Sequence, residues 1–188
     1  MAFLLSILSV LAFLLIIQLV YPFATVLAAR LWGRERVQEQ IIPGQPFHYA
    51  CIVTAYRNSA IAKPLVESLL RQTYPHLIIY VVADECPDFD FSISDERFVL
   101  LRPASPLRLK AKSIMHAMAQ YRRPHDFTVV FDADNLAHPG FLAEINRYAQ
   151  AGYVCIQGQR KAKNLDTTYA ALDSMGEHYK NYLERYVP

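Results

Sequence analysis

The sequence predicts an α/β protein, an apolar N-terminal helix followed by a doubly wound, mostly parallel sheet. Three observations carry that expectation. Residues 3–29 hold no charged side chain. After residue 48, short runs that are apolar on both faces alternate with amphipathic segments. The carboxylates and lysines suited to chemistry follow those short runs directly, and a parallel sheet binds ligands beyond the carboxyl ends of its strands.

At about 1.5 Å rise per residue, the run Phe3–Ala29 can cross roughly 30 Å of hydrocarbon with some tilt. A cleaved signal peptide would begin with basic residues and carry an apolar run of roughly 7–15 residues. Here no Lys or Arg precedes a much longer run, although Ala28-Ala29 resembles a cleavage site. Pro22 is tolerated in a membrane helix, where neighbouring groups satisfy the freed carbonyl. Arg30, Arg34 and Arg36 follow the run directly. The positive-inside rule then holds the remaining chain in the cytoplasm, as a single-pass protein of the cell (plasma or inner) membrane. Tyr21 and Trp32 suit the interfacial belts of the bilayer. Cys51, Cys86 and Cys155 are odd in number and widely spaced. They make neither a disulfide framework nor a zinc site, and are expected as core or near-core thiols in a reducing compartment. A formal charge of +2 is too small to argue for nucleic acid, and the hydrophobic fraction of 53% is inflated by the first segment.

The elements follow in order. Pro43, Gly44 and Pro46 mark residues 33–47 as a linker. Tyr49–Ala55 reads as a buried strand, and Ile61–Gln72 as a helix with Leu65, Val66, Leu69 and Leu70 on one face and Pro64 in its first turn. Leu77–Ala83 is the strongest strand and Phe98–Leu101 a brief one. Leu109–Tyr121 is helical, with Ile114, Met115 and Met118 apolar. Phe127–Phe131 is a fourth strand, Pro139–Ala149 a helix and Tyr153–Gln157 a fifth strand. Thr167–Tyr186 closes the chain as a long helix carrying Tyr169, Leu172, Met175, Tyr179 and Leu183.

Asp132-Ala133-Asp134-Asn135 follows the fourth strand. Two carboxylates one residue apart at a strand end can face one crevice, where hard oxygen ligands suit Mg²⁺ or Mn²⁺. An Asp-rich turn ended by Asn135 is the competing reading. Asp84, after the second strand, could accept hydrogen bonds from a base or ribose, although taken alone a polar strand-to-loop junction is more often plain turn chemistry. The acidic stretch Asp88, Asp90, Asp95 and Glu96 reads as a solvated loop. After the first strand, Thr54, Ala55 and Tyr56 could meet a base or ribose, with Tyr56 stacking or merely packing. Lys110 and Lys112 could reach phosphate from a helix start or be a surface pair, and Arg160, Lys161 and Lys163 carry the same ambiguity.

Taken in order, these segments resemble the family 2 glycosyltransferases. Thr54-Ala55-Tyr56-Arg57-Asn58 is similar to that family's Pro-Ala-Tyr-Asn-Glu. Ser68-Leu69-Leu70-Arg71-Gln72-Thr73-Tyr74-Pro75 is similar to its Ser-Leu-Leu-x-Gln-x-Tyr-Pro. Val82-Ala83-Asp84-Glu85-Cys86-Pro87-Asp88 resembles its Val-Ala-Asp-Asn-Cys-Thr-Asp loop, Lys110-Ala111-Lys112 its Lys-Gly-Lys, and Asp132-Ala133-Asp134-Asn135 its metal motif. The resemblance spans about Tyr49 to Asn164. It implies the GT-A fold, inverting transfer, and a nucleotide-diphosphate sugar donor, usually UDP-linked, bound with Mg²⁺ or Mn²⁺. By that resemblance Thr54, Ala55, Tyr56, Asn58, Asp84, Lys112, Asp132 and Ala133 bind the nucleotide sugar. Asp132 lies near ribose and phosphate and serves with Asp134 as metal ligand, Asp134 the more direct. The implied organisation is an anchor over residues 1–32, the linker, a nucleotide-sugar-binding subdomain over 48–164, and a terminal helix over 165–188.

Thr54 replaces a frequent Pro, Arg57-Asn58 replaces Asn-Glu, and Ala111 replaces Gly, departures that bear on base recognition rather than class. Inverting transfer needs a carboxylate base for the acceptor hydroxyl. The family's Glu-Asp and Gln-x-x-Arg-Trp segments have no counterpart after Lys163, and Glu177 and Glu184 read as a helix's polar face. The expectation is therefore a donor-binding chain that stops before the catalytic half, with no catalytic residue identified. The acceptor stays open among lipid, polysaccharide and protein. A haloacid-dehalogenase-type phosphatase would want Thr or Val where Leu136 stands. A nucleotidyltransferase would want a Gly-rich loop, whereas Thr54–Ile61 has no Gly. A non-catalytic membrane-anchored domain is the remaining alternative.

Overall fold

The computed structural model describes residues 2–31, 44, 46–87 and 93–182. Trp32, Arg34, Arg36, most of the expected linker, Asp88, Asp90, and Leu183, Glu184 and Tyr186 of the expected terminal helix lie outside them. The chain divides into two compact units, Glu39–Gln157 on the one hand and Met1–Gln38 with Gly158–Pro188 on the other.

In the first unit, strands β1 (Tyr49–Tyr56), β2 (Leu77–Asp84), β3 (Phe98–Leu101) and β4 (Phe127–Asp132) form one sheet in the order β3-β2-β1-β4. Every pairing is parallel. Side chains alternate across the sheet, so Tyr49, Cys51, Val53 and Ala55 enter one apolar layer while Ala50 and Ile52 enter the other. The first layer is closed by helices α2 (Lys63–Leu70) and α4 (Phe141–Gln150) through Leu65, Val66, Leu69, Leu142 and Ile145. The second is closed by α3 (Lys110–Ala119), whose Ile114 and Ala117 pack with Tyr80, Val82 and Val99. Helices on both faces are what near-continuous apolar strands require, and β1 and β2 are buried almost throughout.

Two sequence expectations are corrected. Tyr153–Gln157 forms no strand. Instead α4 ends in a Schellman arrangement: Gly152, at φ +91°, donates to the Ala149 carbonyl, and Tyr153 to the Tyr148 carbonyl. Val154 and Cys155 are left exposed, because β-branched composition makes a strand only where a neighbour offers a ladder. Cys155 is accordingly not a core thiol. Cys51 and Cys86 are buried, and burial pushes the Cys51 thiol up to about 12. The other correction is β4, which is apolar but not buried on both faces. Its Phe127, Val129 and Phe131 meet the first layer, while Thr128 and Val130 are exposed.

Two buried polar side chains of the α2 segment clamp the chain that leaves β4. Ser68 Oγ donates to the Leu65 carbonyl and accepts from the Ala137 N–H at 3.0 Å. Gln72 donates Nε2 to the His138 carbonyl at 2.7 Å and accepts the Leu142 N–H at 2.9 Å. That last bond caps α4, whose own N-cap Gly140 offers no side chain. Gln72→Ala would leave the buried Leu142 N–H unpaired, while the His138 carbonyl keeps the Phe141 N–H, an expected loss of about 1–3 kcal/mol in urea unfolding. An unchanged midpoint would refute the clamp.

The second unit contains α1 (Ala2–Leu31) and α5 (Thr168–Lys180). Helix α1 is long and apolar enough over Phe3–Leu31 to cross a bilayer. Its Ser9 and Thr25 hydroxyls donate back to the Leu5 and Pro22 carbonyls, each at 2.9 Å, so neither is left unpaired in an apolar surround.

Candidate functional site

The strand ends are in register. Tyr56 pairs with Asp84 across β1 and β2, and Thr54 pairs with Asp132 across β1 and β4. The sheet order therefore brings three polar segments, far apart in sequence, to one edge. Thr54, Ala55, Tyr56, Asp84, Arg108, Leu109, Lys110 and Ser113 line a cleft of about 200 Å³ there.

Asp84 is buried at 2% exposure. Its two carboxylate oxygens accept the backbone N–H groups of Leu107 and Arg108 at 2.9 and 2.7 Å, and its carbonyl accepts from Arg57 N at 3.0 Å. Asp84 thus builds the cleft by fastening the loop before α3 to the sheet. Each lobe it joins contains a residue in left-handed backbone: Arg57 at φ 59°, Glu85 at φ 50° and Arg108 at φ 51°. Non-glycine residues avoid that region unless their surroundings impose it, and three around one cleft mark it as a constrained site.

The side chains above Asp84 are linked as well. Arg108 donates to both Glu85 carboxylate oxygens, at 2.9 and 3.1 Å. The Arg108 guanidinium, then the Tyr56 hydroxyl, hold the Glu85 carboxyl below its usual range. The Tyr56 hydroxyl is in turn pushed up, chiefly by its hydrogen bond to Glu85. Arg57 lies over the Tyr56 ring at 4.9 Å, so one ring face is covered by a cation.

The opposite wall is the start of α3. It has Leu109 as N-cap with no side-chain cap, no acidic residue in its first turn, and Lys110 and Lys112 there instead. Helix starts ordinarily attract carboxylates. An uncapped start flanked by lysines concentrates N–H groups and positive charge, which suits phosphate. Lys110 forms an ion pair with Asp132, joining the cleft to the Asp-x-Asp segment. There Asn135 N–H bonds the Asp132 carbonyl at 3.1 Å, so the segment is a turn as well as a pair of carboxylates. Asp132 and Asp134 are exposed and Ala133 is half-buried against the core.

Of the residues singled out from sequence, Thr54, Ala55, Tyr56 and Asp84 meet at the cleft, with Asp132 attached through Lys110. Asn58 does not line it: its Oδ1 accepts the Ala60 N–H at 3.1 Å and starts the 3₁₀ turn Ala60–Ala62. Lys112 is exposed outside the lining. Arg108, Glu85, Leu109 and Ser113 were missed. Nothing in Pro-Leu-Arg-Leu-Lys signals that an arginine adopts left-handed backbone. Arg160 pairs with Glu177 at 3.2 Å within the second unit.

Among the described residues no three His, Cys, Asp or Glu side chains gather as a metal site. Two exposed hard-oxygen carboxylates nonetheless fit Mg²⁺ or Mn²⁺, which keep waters and take further ligands from phosphates rather than from an all-protein cage.

The family described as glycosyltransferase like family 2 matches residues 45–187. A mannosyltransferase of Pyrobaculum calidifontis, solved in complex with GDP-Man and Mn²⁺, is 19% identical with a TM-score of 0.51, over 70% of this chain and 41% of that one. S. aureus TarS is 18% identical with a TM-score of 0.50, over 62% of this chain and 24% of that one. The TarS 1–349 structure in complex with UDP is 19% identical with a TM-score of 0.46, over 52% and 30%. At such identity the first two likenesses show the fold alone, and the chain spans less than half the length of each of these structures. No protein with a curated description matches the chain.

Proposed function

This chain belongs to glycosyltransferase family 2, and from that membership we propose that it binds a nucleotide-diphosphate sugar, UDP-linked, for transfer of the sugar to an acceptor. The observation that carries the reading is the junction at the cleft. One wall offers an uncapped, lysine-bearing helix start, and the ion pair from Lys110 ties it to the strand-end carboxylate Asp132. A diphosphate bearing a divalent cation needs both signs of charge within one molecule's reach.

In this reading Thr54 and Tyr56 meet the base and ribose, and the free face of Tyr56 is available for stacking. Asp84 acts mainly by holding the Leu107–Arg108 backbone in place. Lys110 and the α3 amides take the diphosphate, and Asp132 and Asp134 hold Mg²⁺ or Mn²⁺ beside it. The ion neutralises charge on the leaving nucleotide when bound. The nucleotide-sugar-binding subdomain is residues 48–164. Helix α1 is proposed as a single-pass anchor in the cell membrane, with Arg30 at its cytoplasmic end.

The test is calorimetric titration of the full chain in detergent with UDP, UDP-glucose, UDP-N-acetylglucosamine and GDP-mannose. Each is run with Mn²⁺ and again with chelator. Binding to at least one nucleotide that chelator abolishes is the expected result. A folded chain that binds none of them in Mn²⁺ would sink the donor-site reading and favour a non-catalytic membrane domain.

A further inference from the structure

Helix α5 is amphipathic in the inverse sense to a globular surface helix. At 3.6 residues per turn, Ala170, Ser174, Glu177 and Asn181 share one face, and Tyr169, Leu172, Met175 and Tyr179 share the opposite one. The small and polar face is covered: Ser174 is 6% exposed and Asn181 7%. Asn181 donates to the Arg160 carbonyl at 2.7 Å, and Glu177 pairs with the Arg160 side chain. The segment that precedes the helix thus occupies its polar side. The large apolar side chains are bare, with Tyr169 86%, Met175 67% and Leu172 58% exposed, and Leu165 just before the helix exposed as well. A contiguous apolar face of this kind on a protein surface marks an interaction site.

We propose that α5 lies in the membrane interface, its Tyr169–Leu172–Met175–Tyr179 face embedded among lipid headgroups and upper acyl chains. The proposal rests on the anchoring of α1 stated above. Three features favour lipid as the occupant. The helix belongs to the same compact unit as α1, the segment able to cross a bilayer. Two of the four face residues are tyrosines, whose rings are apolar in body and polar at the tip, as interfacial residues are. Lys161 and Lys163 lead into the helix and are exposed, which suits an anionic leaflet.

The test uses the full chain in phosphatidylcholine vesicles containing phosphatidylglycerol, with acyl-brominated lipid as quencher. Trp32 is the sole tryptophan, so the unaltered chain reports the anchor. Leu172→Trp in a Trp32→Phe background reports the α5 face, and Tyr179→Trp does so independently should the first variant fold poorly. The expected result is quenching of Trp32 and loss of roughly half the emission from position 172 or 179, as an interfacial depth implies. Quenched Trp32 beside unquenched 172 and 179 would overturn the proposal and leave the anchor standing. If neither is quenched, the anchoring reading falls and takes this one with it. Emission from 172 that ignores bromine but shifts to the blue as protein density rises would place a second copy on the face, which also overturns it.

Discussion

Asp134→Asn is expected to abolish the metal-dependent part of nucleotide binding, with affinity in Mn²⁺ falling about 100-fold, or about 2.7 kcal/mol. The substitution keeps size and turn chemistry but removes the negative charge that a hard divalent ion requires. Asp134 is exposed, so the fold should be indifferent to the change. Asp132→Asn is expected to act differently, because Asp132 is also the ion-pair partner of Lys110. It removes a metal ligand and frees the lysine together, so residual binding should remain under chelator where Asp134→Asn shows none. Titrations of the two variants with and without Mn²⁺ separate these outcomes. An Asp134→Asn chain that still binds nucleotide in a chelator-sensitive way would show that Asp134 is not a metal ligand.

Asp84→Ala is expected to damage both the fold and the site. The carboxylate is buried, and its loss strands two backbone N–H groups, those of Leu107 and Arg108. At about 1–3 kcal/mol for each donor left unpaired, the expected loss for the two is roughly 2–6 kcal/mol. Arg108, in left-handed backbone, is one of the two residues that Asp84 fastens, so the wall carrying Lys110 should loosen as well. Denaturant midpoint and nucleotide affinity should therefore fall together. A chain that loses binding at full stability would instead make Asp84 a direct ligand of the base or ribose, the role suggested by the family resemblance. A chain that keeps both would refute the fastening.

How much of this could be read beforehand depends on the range of the interaction concerned. The apolar periods of β1, β2, α2 and α4 are local and were legible, as was the strand-end position of Asp84 and Asp132. The supposed fifth strand was not. Tyr153–Gln157 has the composition of a strand, but a strand exists only in a ladder, and composition cannot say that no neighbour is offered. Cys155 was misplaced for the same reason. Asn58 stands where the family pattern has Glu, and its Oδ1 is taken by a local turn, a competition that a motif does not show. The segment Ser68–Pro75 was legible as a motif and silent as to purpose. Its role is to bond the chain after Asp134, nearly seventy residues away in sequence.

Patterns local to the chain carry the class of fold, the apolar helix able to cross a bilayer, and the acidic and basic residues from which a donor site would be built, as the resemblance of its motifs carries the family. Those follow from composition, period and order, which are properties of neighbours along the chain. Contacts between distant segments settle the rest: that Asp84 holds a loop, that Arg108 lines the cleft with Glu85 bound to it, and that Lys110 meets Asp132. They also settle that α5 covers its polar side and leaves its apolar side bare. Each of these turns on which distant groups become neighbours once the strands pair, and on which of them the protein's own backbone has already used.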